Sequence, residues 1–255
     1  YHMAERCPPA MMIRGFMISG FLVAMACTTQ PSLPTGSASA SSATVDLDTE
    51  STSASIDQYL AEEFVDSLKV GRSRLNSVML KQVRTTDSVY VQLVFRSKEK
   101  RAWVDRNNST WLKDGISGLH AELADFNNDG YKDVTFISAT AARGANEVRR
   151  LFIYDPLSDQ LRFITNSMNY PNLRYNPKLK CIDGFRVYGG SSTDFLRLQG
   201  DSLFMFATVD LGEGVVVTTY DADPKGQVIH QDATYEGGYI RFDNYSPLEV
   251  LEGDW

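Results

Sequence analysis

The chain has 255 residues, 43% of them hydrophobic, and a formal net charge of −7. The apolar fraction is sufficient for a buried core and excludes a chain that is disordered throughout. The acidic balance and the lack of a basic stripe exclude a nucleic-acid-binding domain, and suit either a basic partner or simply a soluble globular protein.

The first segment in chain order resembles an export signal. A short positively charged stretch precedes an almost wholly apolar run over 15–26, which ends in small residues before Cys27. Such a run suits a signal peptide and is too short to span a bilayer. Its end resembles a bacterial lipobox, so we expect residues 1–26 to be removed and Cys27 to be lipidated. Met11 or Met12 is then the true start, and a soluble exported protein is the alternative.

A tether and one folded domain follow the export signal. Residues 27–55 are dominated by Ser, Thr and Ala. This composition buries too little apolar surface to offset chain entropy, and it predicts a flexible tether that holds the domain off a membrane. Residues 56–255 then form the folded domain. Cys181 is alone within it, so we expect no internal disulfide and interpret this residue as a small buried filler.

The domain is predicted to begin with a short helix and to continue in strands. Ile56, Leu60 and Phe64 recur at four-residue steps, which places them on one face of a helix over 56–64. Further along, β-branched and aromatic runs alternate with turn residues, which is typical of strands. The polar segment 101–110 is predicted to be a turn.

The prediction of strands rests mainly on three candidate hairpins. In each, two apolar runs flank a short segment rich in Gly, Pro or Asp, which has the chemistry of a tight turn. The hairpins cover 151–164, 195–206 and 215–229. Short strands separated by such turn residues predict a mainly β fold, with antiparallel sheets in a compact, propeller-like or sandwich-like single domain.

The chemically most specific stretch runs from Asp125 to Asp133 and has the pattern D-x-N-x-D-G-x-x-D. Alternation turns Asp125, Asn127 and Asp129 towards one centre. The carbonyl of Tyr131 adds an oxygen ligand, and Asp133 closes the shell. Calcium is a hard cation that prefers oxygen ligands, so these five residues are the predicted ligands of a structural calcium ion.

The flanking segments distinguish this loop from an EF-hand. An EF-hand carries a bidentate Glu at loop position twelve, which here is Phe136 inside an apolar run. Strands are also predicted on both sides, where an EF-hand has helices. The pattern instead resembles the loops of FG-GAP and integrin-type β-repeats. A metal-free turn rich in Asp and Asn is the alternative, although three carboxylates so close repel one another unless a cation compensates.

The order of features over 119–211 resembles a family of small bacterial calcium-binding lipoproteins that inhibit lysozyme-like peptidoglycan hydrolases. Members of this family serve as periplasmic immunity proteins paired with toxins of bacteria-killing type IV secretion. The resemblance rests on the aspartate loop with the apolar strand after it, on the hairpin at 152–156, and on the segment 188–192. Residues before 90 and after 211 lie outside it.

The family resemblance implies inhibition of an enzyme. An inhibitor of this kind fills a lysozyme-type cleft with a rigid polar loop that reaches the paired carboxylates there. The residues that suit such a loop, by their size and hydrogen-bonding groups, are Tyr188, Gly189, Gly190, Ser191 and Ser192. A plain strand connection is the alternative. The resemblance also implies an outer-membrane or periplasm-facing lipoprotein of a Gram-negative bacterium.

The sequence lacks the familiar catalytic signatures. It contains no G-x-S-x-G, no H-E-x-x-H and no phosphate-binding loop, so we predict that the protein is not an enzyme. No spacing singles out a hydrolase site among carboxylates such as Glu122, Asp210 and Glu213. The alternative function, from a different class, is a calcium-dependent surface binding or adhesion module that recognises glycan or protein.

Overall fold

The computed structural model of the chain describes residues 58–221 and 223–252. In this part, sixteen strands form four antiparallel sheets, and the helical segments are two short 3-10 turns, Ala142–Gly144 and Ser167–Asn169. The predicted mainly β, antiparallel, compact fold is therefore confirmed. Within the same ranges, no helix has the length and apolar character needed to cross a membrane. The predicted signal peptide, the lipidation site at Cys27 and the tether lie outside the described residues.

The first sheet is a four-stranded meander in which each strand pairs with its neighbour in sequence. Its strands are β1 (Tyr59–Asp66), β2 (Asn76–Arg84), β3 (Val89–Glu99) and β4 (Ala102–Lys113). Buried and half-buried residues alternate along most of β2 and β3, as expected when one face of a sheet packs against a core and the other faces solvent.

The short helix predicted over 56–64 is wrong where the structure describes it, because Tyr59–Asp66 is strand β1 and residues 56 and 57 lie outside the described part. A four-residue step equals two strand repeats as well as about one helical turn, so the spacing of Leu60 and Phe64 suits both. Backbone pairing with β2, in which Phe64 faces Leu80, selects the strand. Tertiary pairing thus overrides the local pattern.

The turn predicted over 101–110 is also wrong, because most of this segment belongs to β4 and the hairpin turn lies at Lys100 and Arg101. The polar residues of β4 make contacts between sheets. The amide of Asn107 donates to the carbonyl of Leu161 at 3.1 Å and accepts its N–H at 2.8 Å. The low hydrophobicity of β4 therefore reflects its hydrogen-bonding role and its exposed face.

The second sheet is another four-stranded meander. Its strands are β5 (Glu122–Ala124), β6 (Asp133–Ala141), β7 (Asn146–Asp155) and β8 (Gln160–Phe163). The hairpin predicted over 151–164 is confirmed as β7 and β8. Residues 151–154 of β7 are all buried, which explains why the sequence there is continuously apolar instead of alternating.

The third sheet has six strands and is followed by a two-stranded ribbon. The six-stranded sheet contains β9 (Arg174–Asn176), β10 (Cys181–Val187), β11 (Ser191–Gln199), β12 (Ser202–Gly212), β13 (Gly214–Thr219) and β14 (Gln227–Asp232), and the ribbon contains β15 (Phe242–Tyr245) and β16 (Leu248–Val250). Both remaining predicted hairpins are confirmed here, as β11 with β12 and β13 with β14. Cys181 is a free, buried thiol.

Three apolar cores lie between successive sheets of the described chain. The first lies between the first and second sheets, the second between the second and third, and the third between the six-stranded sheet and the ribbon. Burying a large apolar side chain in such a core contributes about 1.5–3 kcal/mol to stability. The sheets therefore stack in chain order.

Candidate functional site

The aspartate loop connects β5 to β6, where the sequence predicted a loop between two strands. Two residues take the left-handed conformation that a tight turn requires, Asn128 with φ of 58° and Gly130 with φ of 89°. The carboxylate of Asp125 accepts the N–H of Asp129 at 3.1 Å and the N–H of Gly130 at 2.9 Å. The backbone of the loop therefore curves around the carboxylate of Asp125, the first of its predicted ligands.

Asp133, the last predicted ligand, is fully buried at the start of β6. Its two oxygens accept the N–H groups of Phe126 at 2.8 Å and Tyr154 at 2.9 Å. Burial raises the pKa of Asp133 to about 7, and the negative charges of Asp129 and Asp125 act in the same direction. In the described part of the chain no lysine, arginine or histidine pairs with this carboxylate, so a cation would stabilise its charged form.

Asn127 and Asp129, two further predicted ligands, are hydrogen-bonded within the loop. Asp129 accepts the side-chain amide of Asn127 at 2.8 Å and the N–H of Tyr131 at 2.9 Å. Each carboxylate has about four lone-pair positions, so these bonds leave oxygen positions for a hard cation. The donor chemistry therefore fits calcium. Within the described ranges, however, no three His, Cys, Asp or Glu side chains already converge as a metal cluster, and calcium binding stays a prediction.

The predicted contact loop forms the tip of the β10–β11 hairpin. Tyr188 is 43% exposed, and its hydroxyl donates to Oδ2 of Asp210 at 2.6 Å. A Cβ atom on Gly189 would meet nothing within 4 Å, whereas one on Gly190 would lie 2.2 Å from the carbonyl oxygen of Leu211. The tip is therefore exposed at Tyr188 and Gly189 and closely packed at Gly190.

The two serines of the predicted contact loop lie inside the sheet. Ser191 and Ser192 are the first residues of β11 and are 0% and 5% exposed. The hydroxyl oxygen of Ser191 accepts the N–H of Ile240 at 3.3 Å, which ties the hairpin to the segment before β15. The structure thus divides the five residues into an exposed tip at Tyr188 and Gly189, a closely packed Gly190, and a buried base at Ser191 and Ser192.

An acidic pair lies on the sheet beside this tip. The register pairs Ser192 with Asp210 and Asp194 with Thr208, so the two carboxylates lie on the same face of adjacent strands. Asp194 is 5% exposed and accepts the hydroxyl of Thr208 at 2.9 Å. Burial raises the pKa of Asp194 despite the hydrogen bond from Thr208 and the nearby Arg186. Of these two carboxylates, the sequence alone drew attention only to Asp210. Asp194 could have been recognised from the two-residue repeat of side chains that share a face of strand β11.

No protein-family model and no curated protein matches the chain. Among solved structures, the chain is similar to one described as a Xanthomonas type IV secretion system related protein. The two share 12% sequence identity with a TM-score of 0.44, over 68% of this chain and 96% of the other. This distant likeness is too weak to establish a shared fold or function.

Proposed function

We propose that the protein is a lipid-anchored, periplasm-facing inhibitor of a lysozyme-like peptidoglycan hydrolase, stabilised by a structural calcium ion at 125–133. Its role is to occupy the cleft of the hydrolase, and no catalytic step is assigned to it. The proposal is supported by the family resemblance of the aspartate loop and of the segments around 152–156 and 188–192. It is also supported by the geometry of the Tyr188 tip.

The observation that carries the proposal is the anchored hydroxyl of Tyr188. Its hydrogen is directed at Asp210, so its oxygen lone pairs are available to accept a hydrogen bond from a partner. A lysozyme-type cleft offers a matching donor, because one of its two catalytic carboxyl groups is protonated before reaction. Gly189 has no side chain to block close approach to such a group. The tip is thus narrow, polar and held in place.

The proposal is tested by assaying peptidoglycan hydrolysis by several lysozyme classes and secreted effector hydrolases in the presence of the purified chain. We expect inhibition of at least one hydrolase and a loss of at least about tenfold in inhibitory potency for Tyr188→Ala. Tyr59→Ala is the matched control, because Tyr59 is 60% exposed and lies in a different sheet. Absence of inhibition across the whole panel would overturn the proposal.

A second candidate function is a calcium-dependent surface module that binds glycan or protein. The observation that favours it is the half-exposed carboxylate of Asp210, which lies beside the exposed ring of Tyr188. Carboxylates accept hydrogen bonds from sugar hydroxyls, and aromatic rings offer an apolar surface to the sugar ring. Retention of the chain on immobilised glycan without inhibition of any hydrolase would support this function over the first.

A further inference from the structure

A cleft of about 440 Å³ lies where the second sheet meets the start of the third. Its charged lining comes from distant parts of the chain, with Glu122 in β5, Glu147 and Arg149 in β7, and Arg241 immediately before β15. None of its lining residues belongs to the aspartate loop or to the Tyr188 tip. Two guanidinium groups and two carboxylates in one small concave space distinguish it from an ordinary surface depression.

The floor of the cleft contains an arginine, Arg241, whose guanidinium group uses only some of its N–H donors in hydrogen bonds. Arg241 is 5% exposed. Its Nε donates to Asp183, and its Nη2 donates to Asp183 and, at 2.8 Å, to the carbonyl of Asn172. Arg241 lines the cleft, and its Nη1 has no hydrogen bond to a described residue. A nearly buried guanidinium with one free edge is a suitable partner for a carboxylate.

The wall of the cleft carries carboxylates with spare acceptor capacity. Arg149, 9% exposed, is held by Oε2 of Glu147 at 2.7 Å and by the carbonyl of His120 at 3.0 Å. Oε2 of Glu122 lies 3.6 Å from the same guanidinium. The side chains of Glu147 and Glu122 are nevertheless 41% and 52% exposed. Their remaining oxygens can accept N–H groups of a cation in the cleft.

Residues in left-handed backbone conformation border the cleft. They are Asn172, with φ of 52° in the lining itself, and Ala142 and Arg143, with φ of 49° and 58°, immediately before the lining residue Gly144. This conformation costs about 1 kcal/mol or more for a residue with a Cβ atom, and such residues concentrate at binding sites. The side chain of Asn172 accepts a backbone N–H of β7 at 3.0 Å and donates to a carbonyl of β10 at 2.9 Å, which fixes the rim.

We propose that this cleft binds a small zwitterion, namely an amino acid or a dipeptide with a free ammonium group and a free carboxylate. The carboxylate of the ligand pairs with Nη1 of Arg241 on the floor. The ammonium group pairs with the exposed oxygens of Glu147 and Glu122 on the wall. The volume of about 440 Å³ admits one or two residues and excludes a folded chain.

The proposal is tested by calorimetric titration of the full chain with L-alanine, L-alanyl-L-alanine, and the N-acetylated and C-amidated forms of each. We expect one of the two zwitterions to bind, which identifies the free amino acid or the dipeptide as the ligand. Blocking either end of the zwitterion that binds should weaken binding at least about tenfold, because each end makes a charge-assisted contact. The proposal is overturned if neither zwitterion binds, or if the blocked forms bind as tightly as the free one.

Two variants locate the ammonium site. Glu147→Gln and Glu122→Gln should each weaken binding of the zwitterion about tenfold while the chain stays folded, because glutamine keeps the shape and loses the charge. Glu213→Gln, at an exposed turn between β12 and β13, is the matched control. Unchanged affinity in both cleft variants would refute the assignment. Arg241 is tested through the amidated probes instead, because replacing it would remove one of the two arginines that pair with the buried carboxylate of Asp183. None of these outcomes depends on hydrolase inhibition.

Discussion

The hydroxyl of Tyr188 donates a hydrogen bond of 2.6 Å to Oδ2 of Asp210 and thereby fastens the tip of the β10–β11 hairpin to strand β12. Burial, together with this hydrogen bond and the carboxylate charge, raises the pKa of Tyr188 well above its usual range. The hydroxyl consequently stays protonated at neutral pH and keeps its donor role. A tip fixed in this way loses little conformational freedom on binding a partner.

Removing this hydrogen bond should loosen the hairpin without unfolding the protein. For Tyr188→Phe we expect a loss of about 1 kcal/mol in the free energy of unfolding, measured by urea denaturation. Combining it with Asp210→Asn in a double-mutant cycle should give a coupling energy of about 1 kcal/mol. A coupling energy indistinguishable from zero would show that the bond does not hold the tip in solution.

The two glycines of the tip should respond differently to alanine. Gly190→Ala places a Cβ atom 2.2 Å from a backbone oxygen of β12, so we expect a destabilisation of about 1–3 kcal/mol. Gly189→Ala meets open space and should change stability by less than about 0.5 kcal/mol. Thermal denaturation of both variants checks this contrast. Equal melting temperatures for the two variants would contradict the packing seen at the tip.

Calcium should stabilise the chain through the aspartate loop. We expect a higher melting temperature in calcium than in a chelator, because the ion offsets the repulsion among three carboxylates. Asp129→Ala should lower the melting temperature in calcium and shrink the gap between the two conditions. Asp223→Ala is the control, because Asp223 lies in an exposed turn away from the loop, where its carboxylate accepts the N–H of Lys225. Identical melting curves of the unmutated chain with and without calcium would refute the metal site.

The carboxylate of Asp159 should make stability depend on acid pH. It accepts the amide of Asn76 at 3.0 Å and the hydroxyl of Tyr154 at 2.8 Å, so it joins the first two sheets. Burial alone would raise the pKa of Asp159, but the hydrogen bonds from Ser97, Tyr154 and Asn76, with the charge of Arg72, hold it below the ordinary value of 3.8. The ionised form therefore contributes stability above that value, and the contribution is lost as pH falls through the lowered pKa.

Asp159→Asn tests this pH dependence directly. We expect a loss of about 1–3 kcal/mol at pH 7, because asparagine cannot replace a charged acceptor. Below about pH 4 the difference between variant and unmutated chain should narrow, since the native carboxylate is then becoming protonated. Urea denaturation at a series of pH values supplies the measurement. A difference that stays constant from pH 7 to pH 3 would exclude the charge as its cause.

The three hairpins were predictable because turn residues and apolar runs alternate within about fifteen residues of sequence. The first strand was not predictable in this way, because the apolar residues Leu60 and Phe64 recur at a spacing that fits a helix and a strand equally. Strand β4 was missed for another reason. Its polar residues serve contacts such as the pairing of Asn107 with Leu161, 54 positions away in the chain.

The candidate sites also differ in how much of each could be predicted from the sequence. The aspartate loop is one continuous segment, so its pattern and its position between two strands were visible in the sequence. Burial of Ser191 and Ser192 depends on the register of β11 and on the later contact with Ile240, which no local pattern reveals. The charged cleft depends on Glu122 and Arg241 meeting, and their separation along the chain leaves no spacing to recognise.

Each of the four sheets is made from one uninterrupted stretch of chain, since every strand pairs with its neighbour in sequence. Pairing such strands closes short loops, for which the entropic cost is small. The domain can therefore assemble as the chain is synthesised, with each new sheet covering the apolar face left by the one before. In this order of events the ribbon of β15 and β16 is added after the six-stranded sheet and covers the core that this sheet leaves open.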